Sequence, residues 1–255
     1  MKSIKGWRDW DVHPFTLVYL FVSVLNNDFY RYFSALVIVC IHEYGHYYFA
    51  KKFKFEIDKV EIFPFGAFLS LNDFGLHHIC QELIMLLGGL VVHLPLYIVI
   101  KIFIGSSYLL EINKLVFVFN ILPIYPLDGS KIILLLLSLF KDYYHAVKLQ
   151  IKISLLTLSI LIVLYNEIGY LFVYFYLLYG NYKYIKEFRF MIIRLFLKRL
   201  DGNEYKRYKI NKRMCFYRPY NNIYVIDGNV FNEEKMLKKL IKNLKTNWLY
   251  QLYSI

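Results

Sequence analysis

Three residues in "IVCIHEYGHYYFAKK", residues 38 to 52, could do chemistry: His42, Glu43 and His46. On a helix, residues four apart share a face, so His42 and His46 can each direct a ring nitrogen at one ion. Glu43 projects one residue further round, near enough to reach a water on that ion but angled away from ligation. H-E-x-x-H therefore reads as two zinc ligands and a general base. Two other readings share the pattern: a polar patch in an interhelical pore, and histidines bonded to neighbouring carbonyls. Burying such groups among apolar residues is costly, so each needs a partner or a task. A catalytic zinc takes three protein ligands and keeps one position open for water. Between Leu115 and Phe140 the only charges are Asp128 and Lys131, in "NILPIYPLDGSK". Pro123 and Pro126 interrupt a helix there and Gly129 tolerates a sharp path, so Asp128 can project from an unwound bend lining a cavity.

The elements that must position these residues are apolar spans. Of 255 residues, 58% are hydrophobic and 20% aromatic, with a mean hydropathy of +0.40, too apolar for an ordinary soluble domain. Six spans are expected, at about 14–27, 31–50, 79–104, 112–140, 149–166 and 168–182. Lys2, Lys5 and Arg8 precede "PFTLVYLFVSVL" like the start of a signal peptide. The following "NNDFYRYF" has no small-residue cleavage site, so an uncleaved anchor is expected. From residue 183 onward, 17 Lys and Arg face 6 Asp and Glu, a net +11, against a net +1 for residues 1–182. The chain thus divides into a transmembrane part, 1–182, and a basic cytosolic lobe, 183–255. Lysines after the second span, around the fourth-to-fifth connection and in the tail place both termini in the cytoplasm. His46 and Asp128 lie five and thirteen residues before Lys51 and Lys141, about 7 and 20 Å along a helix, so both sit towards the cytoplasmic half.

"DKVEIFPFGAFLSLND" is rich in β-formers around a Pro-Phe-Gly turn, and a short strand or hairpin is expected. In the tail, "NIYVIDGNVFNEEKMLKKLIKNL" reads as strand, Asp-Gly turn and amphipathic helix. The fold class is therefore an all-α polytopic membrane protein of about six transmembrane helices, with a short strand or hairpin between the second and third spans and a small α+β cytosolic lobe. Cys40, Cys80 and Cys215 are odd in number and form no C-x-x-C pair, which argues against disulfides and thiolate metal sites. A basic tail beside membrane spans faces the anionic leaflet, and no nucleic-acid partner is expected.

"HEYGH" followed by "NILPIYPLDGSK" resembles the site-2 protease family of intramembrane zinc metalloproteases, over about residues 30 to 140. The N-x-x-P-x-x-P-L-D-G form, the short length and the tail are most similar to the sporulation stage IV proteases that process pro-sigma-K. The resemblance implies one Zn2+ held by His42, His46 and Asp128, with Glu43 as base. It implies that Asn120 positions substrate or the developing oxyanion. "FPFGAFLSL" resembles the family's membrane-associated β-hairpin beside the cleft, so Phe65, Gly66, Phe68 and Leu69 are candidate substrate-binding residues. It also implies a protein substrate of the pro-sigma-K kind, with room for an inhibitory membrane partner and for self-association, in the mother-cell membrane around the forespore. ATP sensing by a reduced CBS-like unit in the lobe is a further expectation.

The chain departs from the family pattern in places. Ser130 stands where a second glycine is usual, and Lys131 where arginine is common. "GGLVVH" resembles the Gly-Pro-x-x-Asn element, with Leu90 for proline and His93 for asparagine. His93 fits a hydrogen-bonded interior histidine better than a ligand, and His77 and His78 fit an interfacial place. The rivals to a protease are a metal transporter, which needs a polar path that the outer half lacks, and an inactive zinc-binding adaptor, against which intact Glu43 argues.

Overall fold

Helices dominate the computed structural model, with two small sheets, as the apolar runs predict. The structure describes residues 10–63, 66–165, 171–200, 207–226 and 228–246. Lys2, Lys5, Arg8, Phe65 and the expected Asn166–Glu167 turn lie outside these ranges. The chain forms two compact units, Met1–Ile121 and Leu122–Ile255.

The first unit runs β1 (Trp10–Val12), α1 (Pro14–Leu25), α2 (Phe29–Lys52), β2 (Ile57–Phe63), β3 (Gly66–Leu71), α3 (Ile79–Val91), α4 (His93–Val99), a π-helical turn (Ile100–Ile104) and α5 (Ser107–Ile121). Pro14 opens α1 where its missing N–H costs nothing. Lys51 and Lys52 close α2, where cations meet the carbonyl end of the helix dipole. The run Ile79–Ile104 ends at Gly105, whose φ of +67° is one that a side chain would resist.

The expected hairpin is present: β2 and β3 pair antiparallel, with Val60 opposite Leu69 and Glu61 opposite Phe68. A third strand, β1, joins parallel to β2, with Trp10 opposite Val60. Three residues among charged neighbours carry no strand periodicity, so β1 could not be read in advance. The sheet order β1-β2-β3 leaves β3 at an edge. Beyond β3, Asp73 accepts from the Glu56 N–H at 2.8 Å and meets His77 Nε2 at 2.6 Å. Burial alone would raise the Asp73 pKa, but these hydrogen bonds outweigh it and hold the carboxyl below its ordinary value. His77 stacks on Phe55, and His78 caps α3 by accepting from the Cys80 N–H.

The second unit begins with a bend, Leu122–Leu127, then α6 (Asp128–Phe140), α7 (Tyr143–Leu164) and α8 (Leu171–Leu200). The interrupted fourth span is thus two helices, α5 and α6. The sixth continues past residue 182 to Leu200, because hydropathy falls where a helix leaves apolar surroundings while its backbone bonds do not. Two helices are long and apolar enough to cross a membrane, Ile79–Ile104 and Tyr143–Leu164, with Thr16–Leu25 a shorter apolar helix.

The lobe holds β4 (Tyr208–Asn211), β5 (Asn221–Ile226), β6 (Asn229–Phe231) and α9 (Glu233–Thr246). The expected strand, turn and helix are β5, the Gly228 turn (φ +76°) leading into β6, and α9. α9 buries Met236, Leu237 and Ile241. Glu233 accepts from Arg199 Nε at 2.6 Å and from the Asn222 amide nitrogen at 3.1 Å, while Arg199 also donates to the Tyr220 carbonyl at 2.7 Å. Nothing on the lobe's described residues supports the expected nucleotide sensing.

Candidate metal centre

Helix α2 buries Ile38, His42, Gly45, His46 and Ala50, a face with the spacing of one helical stripe. The histidines therefore lie on the packed side, and Tyr44 and Tyr48 on the exposed one. Helix α3 crosses this face at glycines. A Cβ on Gly45 would meet the Gly88 carbonyl oxygen at 2.5 Å, and a Cβ on Gly88 would meet the Phe49 ring and the Gly45 carbonyl oxygen. Backbone touches backbone here, which only glycine permits. Next along, a Cβ on Gly89 would overlap the His46 imidazole.

His42 and His46 are 1% and 3% exposed, so water cannot serve as their main partner. His46 Nδ1 lies 2.9 Å from the Met85 carbonyl, which can only accept, so this nitrogen donates its proton and leaves the lone pair on Nε2. Nε2 of His42 lies 3.1 Å away, with the rings edge-to-face. Two Zn–N bonds of ordinary length at the tetrahedral angle place their nitrogens about 3.3 Å apart, so this spacing fits two ligands of one ion. The other nitrogen of His42 faces His93 Nε2 at 3.0 Å. Glu43, one position along, is half-buried.

Asp128 is the first residue of α6 and 6% exposed. The bend before it is held by side chains. Ser154 Oγ accepts from the Tyr125 N–H at 2.9 Å and donates to Asn181 Oδ1 at 2.6 Å, and Asn181 Nδ2 donates to the Tyr125 carbonyl at 3.0 Å. Unwound backbone away from water survives only when satisfied this way. A Cβ on Gly180 would press on Pro126 at 3.2 Å, and Tyr125 stacks on Tyr184. Lys131 Nζ donates to Asp128 Oδ1 at 3.1 Å. A carboxylate has roughly four acceptor positions, so this bond and metal ligation are compatible.

One ligand atom each from His42, His46 and Asp128 lie within 4.8 Å of one another, all three residues being buried, which makes them a candidate metal site. Two imidazole nitrogens and a carboxylate oxygen are a donor set that suits zinc. Asn120, in α5, donates to the Val116 carbonyl of its own helix at 3.0 Å. Gly66, Phe68 and Leu69 lie on β3, and Phe68 is 39% exposed. The sequence reading has Gly88 and Gly89 only as part of "GGLVVH", with no role for them, and misses Asn113, Ser154 and Asn181. Periodicity shows which face of a helix is apolar but not which neighbour it meets. The adjacent glycines were the one available signal.

Gly89→Ala is expected to push the His46 ring off its place and weaken zinc binding by about tenfold or more, the order seen when a ligand's orienting partner is lost. Chelator competition on the purified protein measures this, and zinc affinity equal to the wild type's would show that the ring is not fixed by this contact.

The Peptidase family M50 model matches residues 31–110, which include His42, Glu43, His46 and His93. The chain is 29% identical over 152 residues to stage IV sporulation protein FB of Bacillus subtilis, covering 56% of this chain and 53% of that protein. It is 28% identical over 187 residues to a zinc metalloprotease of Methanocaldococcus jannaschii, covering 63% of this chain and 53% of that one. The chain thus spans about half the length of the curated relatives it matches. Its fold is similar to that of a site-2 protease from Methanocaldococcus jannaschii, with a TM-score of 0.54 and 25% identity over 71% of this chain and 93% of the other. Family match, relatives and fold agree: residues 31–110 match Peptidase family M50, and the fold is similar to that of a site-2 protease.

Proposed function

We propose that this chain is an intramembrane zinc metalloendopeptidase, with His42, His46 and Asp128 as ligands and Glu43 as general base. The observation that carries the reading is the buried convergence of these three ligand atoms beside the H-E-x-x-H glutamate. A zinc ion held there supplies a Lewis acid for the scissile carbonyl and an acidified water. Glu43 accepts the proton of the attacking water and passes it to the leaving amide nitrogen. Asn120 offers an amide near the reacting carbonyl, as the family resemblance implies. The ion pair with Lys131 helps to hold the Asp128 carboxylate in place.

The membrane part is residues 1–182, crossing six times with both termini cytoplasmic, and α8 leaves the bilayer near Lys183 to carry the basic lobe, 183–255. Long apolar helices and the charge asymmetry support this topology. Substrate is a membrane-associated protein, of pro-sigma-K type by the likeness to a stage IV sporulation protein, cut in the mother-cell membrane around the forespore. It reaches the site in extended form, because a helix conceals its peptide bonds. Edge strand β3 is suited to accept it by strand addition through Gly66, Phe68 and Leu69, with Phe65 continuing the same segment.

One reconstitution tests this reading. In lipid nanodiscs with a pro-sigma substrate, cleavage is expected to stop on chelation and return with zinc. Cysteines at residues 66–71 should cross-link to substrate, and cysteines at residues 105–111 should not. Cleavage that persists in chelator would sink the metalloprotease reading. Cross-links confined to residues 105–111 would overturn the entry route and the topology alone.

A further inference from the structure

Three helices of the first unit contribute one polar residue each to a buried row: His42 from α2, His93 from α4 and Asn113 from α5. His93 and Asn113 are each 3% exposed. The order of donors and acceptors along the row follows from one backbone carbonyl. Asn113 Nδ2 donates to the carbonyl of His93 at 3.1 Å, and this fixes which end of the amide is nitrogen. Asn113 Oδ1 therefore faces His93 Nδ1, at 2.6 Å. An amide oxygen only accepts, so His93 Nδ1 carries the proton. A neutral His93 then has its lone pair on Nε2, which lies 3.0 Å from His42 Nδ1. His42 Nδ1 must supply the proton of that bond, which leaves the lone pair of His42 on Nε2.

That is the nitrogen facing His46 Nε2 at 3.1 Å. His46 reaches the same state by a separate route, through the Met85 carbonyl. The reverse assignment fails: with its proton on Nε2, His93 would set a lone pair against Asn113 Oδ1 at 2.6 Å with no hydrogen between them. Phe117, one turn from Asn113 on α5, packs edge-on against the His93 ring and holds its plane.

We propose that Asn113 and His93 are positioning residues that lock His42 in the tautomer whose Nε2 is open to zinc. His93 is not a ligand, and it lies outside the group of converging ligand atoms. The inference rests on the zinc reading of His42 and His46. Its own content is the proton placement on His93, which the Asn113 contact fixes before any metal binds, while the facing lone pairs of His42 and His46 Nε2 are what an ion between them would take up. Orienting partners of metal-bound histidines do this work generally: they fix the tautomer and the ring plane.

Two measurements on the full-length protein in detergent test it. The first is the imidazole 15N spectrum of the zinc-free protein. His93 is expected as the Nδ1–H tautomer, and Asn113→Leu is expected to release it into a mixture. The second is zinc affinity by chelator competition. His93→Phe should weaken binding about 10- to 100-fold, the usual cost of losing such a partner. Asn113→Leu should weaken it less, and His93→Gln, whose amide can accept from His42 and donate to Asn113, should recover most of the loss. A merely structural role would not produce that rescue, nor move the His93 tautomer. An Nε2–H His93 in the wild type, or wild-type zinc affinity in both His93→Phe and Asn113→Leu, overturns the relay alone. A wild type that holds no zinc would overturn the metal reading itself, and the relay would lose its purpose with it.

Discussion

Glu43→Gln is expected to lower peptide-bond cleavage by about 100- to 10,000-fold, the span attributed to a positioned general base, while zinc stays bound. Glutamine keeps the size and hydrogen-bonding capacity of glutamate but cannot take a proton at neutral pH. Position separates the roles: His42 and His46 lie on the buried stripe of α2, and Glu43 one residue round from it is only half-buried. Cleavage kinetics and metal analysis on the same preparation decide the matter. Turnover near the wild-type level would remove Glu43 from the mechanism, and joint loss of zinc and activity would make it a ligand.

Asp128→Asn is expected to cost more than about 100-fold in zinc affinity, since losing a ligand should exceed the cost of losing a ligand's partner. Activity should fall with it. The rival role for Asp128 is structural, as partner of Lys131. The two roles predict different companions. If the pair matters for itself, Lys131→Met should be as damaging as Asp128→Asn. If Asp128 is a ligand, Lys131→Met should leave most of the zinc in place, because the Lys131 side chain is 36% exposed and solvent screens what it contributes. Equal loss in the two variants would take Asp128 out of the ligand set.

The residues proposed to do the chemistry could be singled out in the sequence because they stand out against apolar neighbours. His42, Glu43 and His46 interrupt one apolar run, and Asp128 interrupts another beside two prolines. Two long apolar helices were legible too, Ile79–Ile104 and Tyr143–Leu164, since long apolar runs have few interpretations. What could not be read is what holds the chemistry in place. Gly88 and Gly89 matter through what lies against them, and no pattern along one helix names its neighbour. Asn113 sits in α5 between Glu111 and Lys114, where it looks like one more polar residue, and its link to His93 across twenty positions is a tertiary fact. Ser154 and Asn181 support the bend from two different helices, and alone each looks like an ordinary small polar residue in a span. The end of α8 was not legible for a different reason. Apolarity marks where a helix meets its surroundings, while i to i−4 bonding continues until the backbone is interrupted.

Helix α8 also has a mechanical meaning. Its 30 residues form one rod of about 45 Å, longer than a bilayer's hydrocarbon core, with no break among its residues. Near its far end, Arg199 is clamped to Glu233 at the head of α9 and to the Tyr220 carbonyl. A third of the way along from its start, Asn181 grips the Tyr125 carbonyl just ahead of Asp128. A load on the lobe is therefore borne by a stiff lever, with no swivel at its base to absorb it. Torque applied at α9 is delivered some 27 Å away, eighteen residues along the rod, to the bend that presents the aspartate.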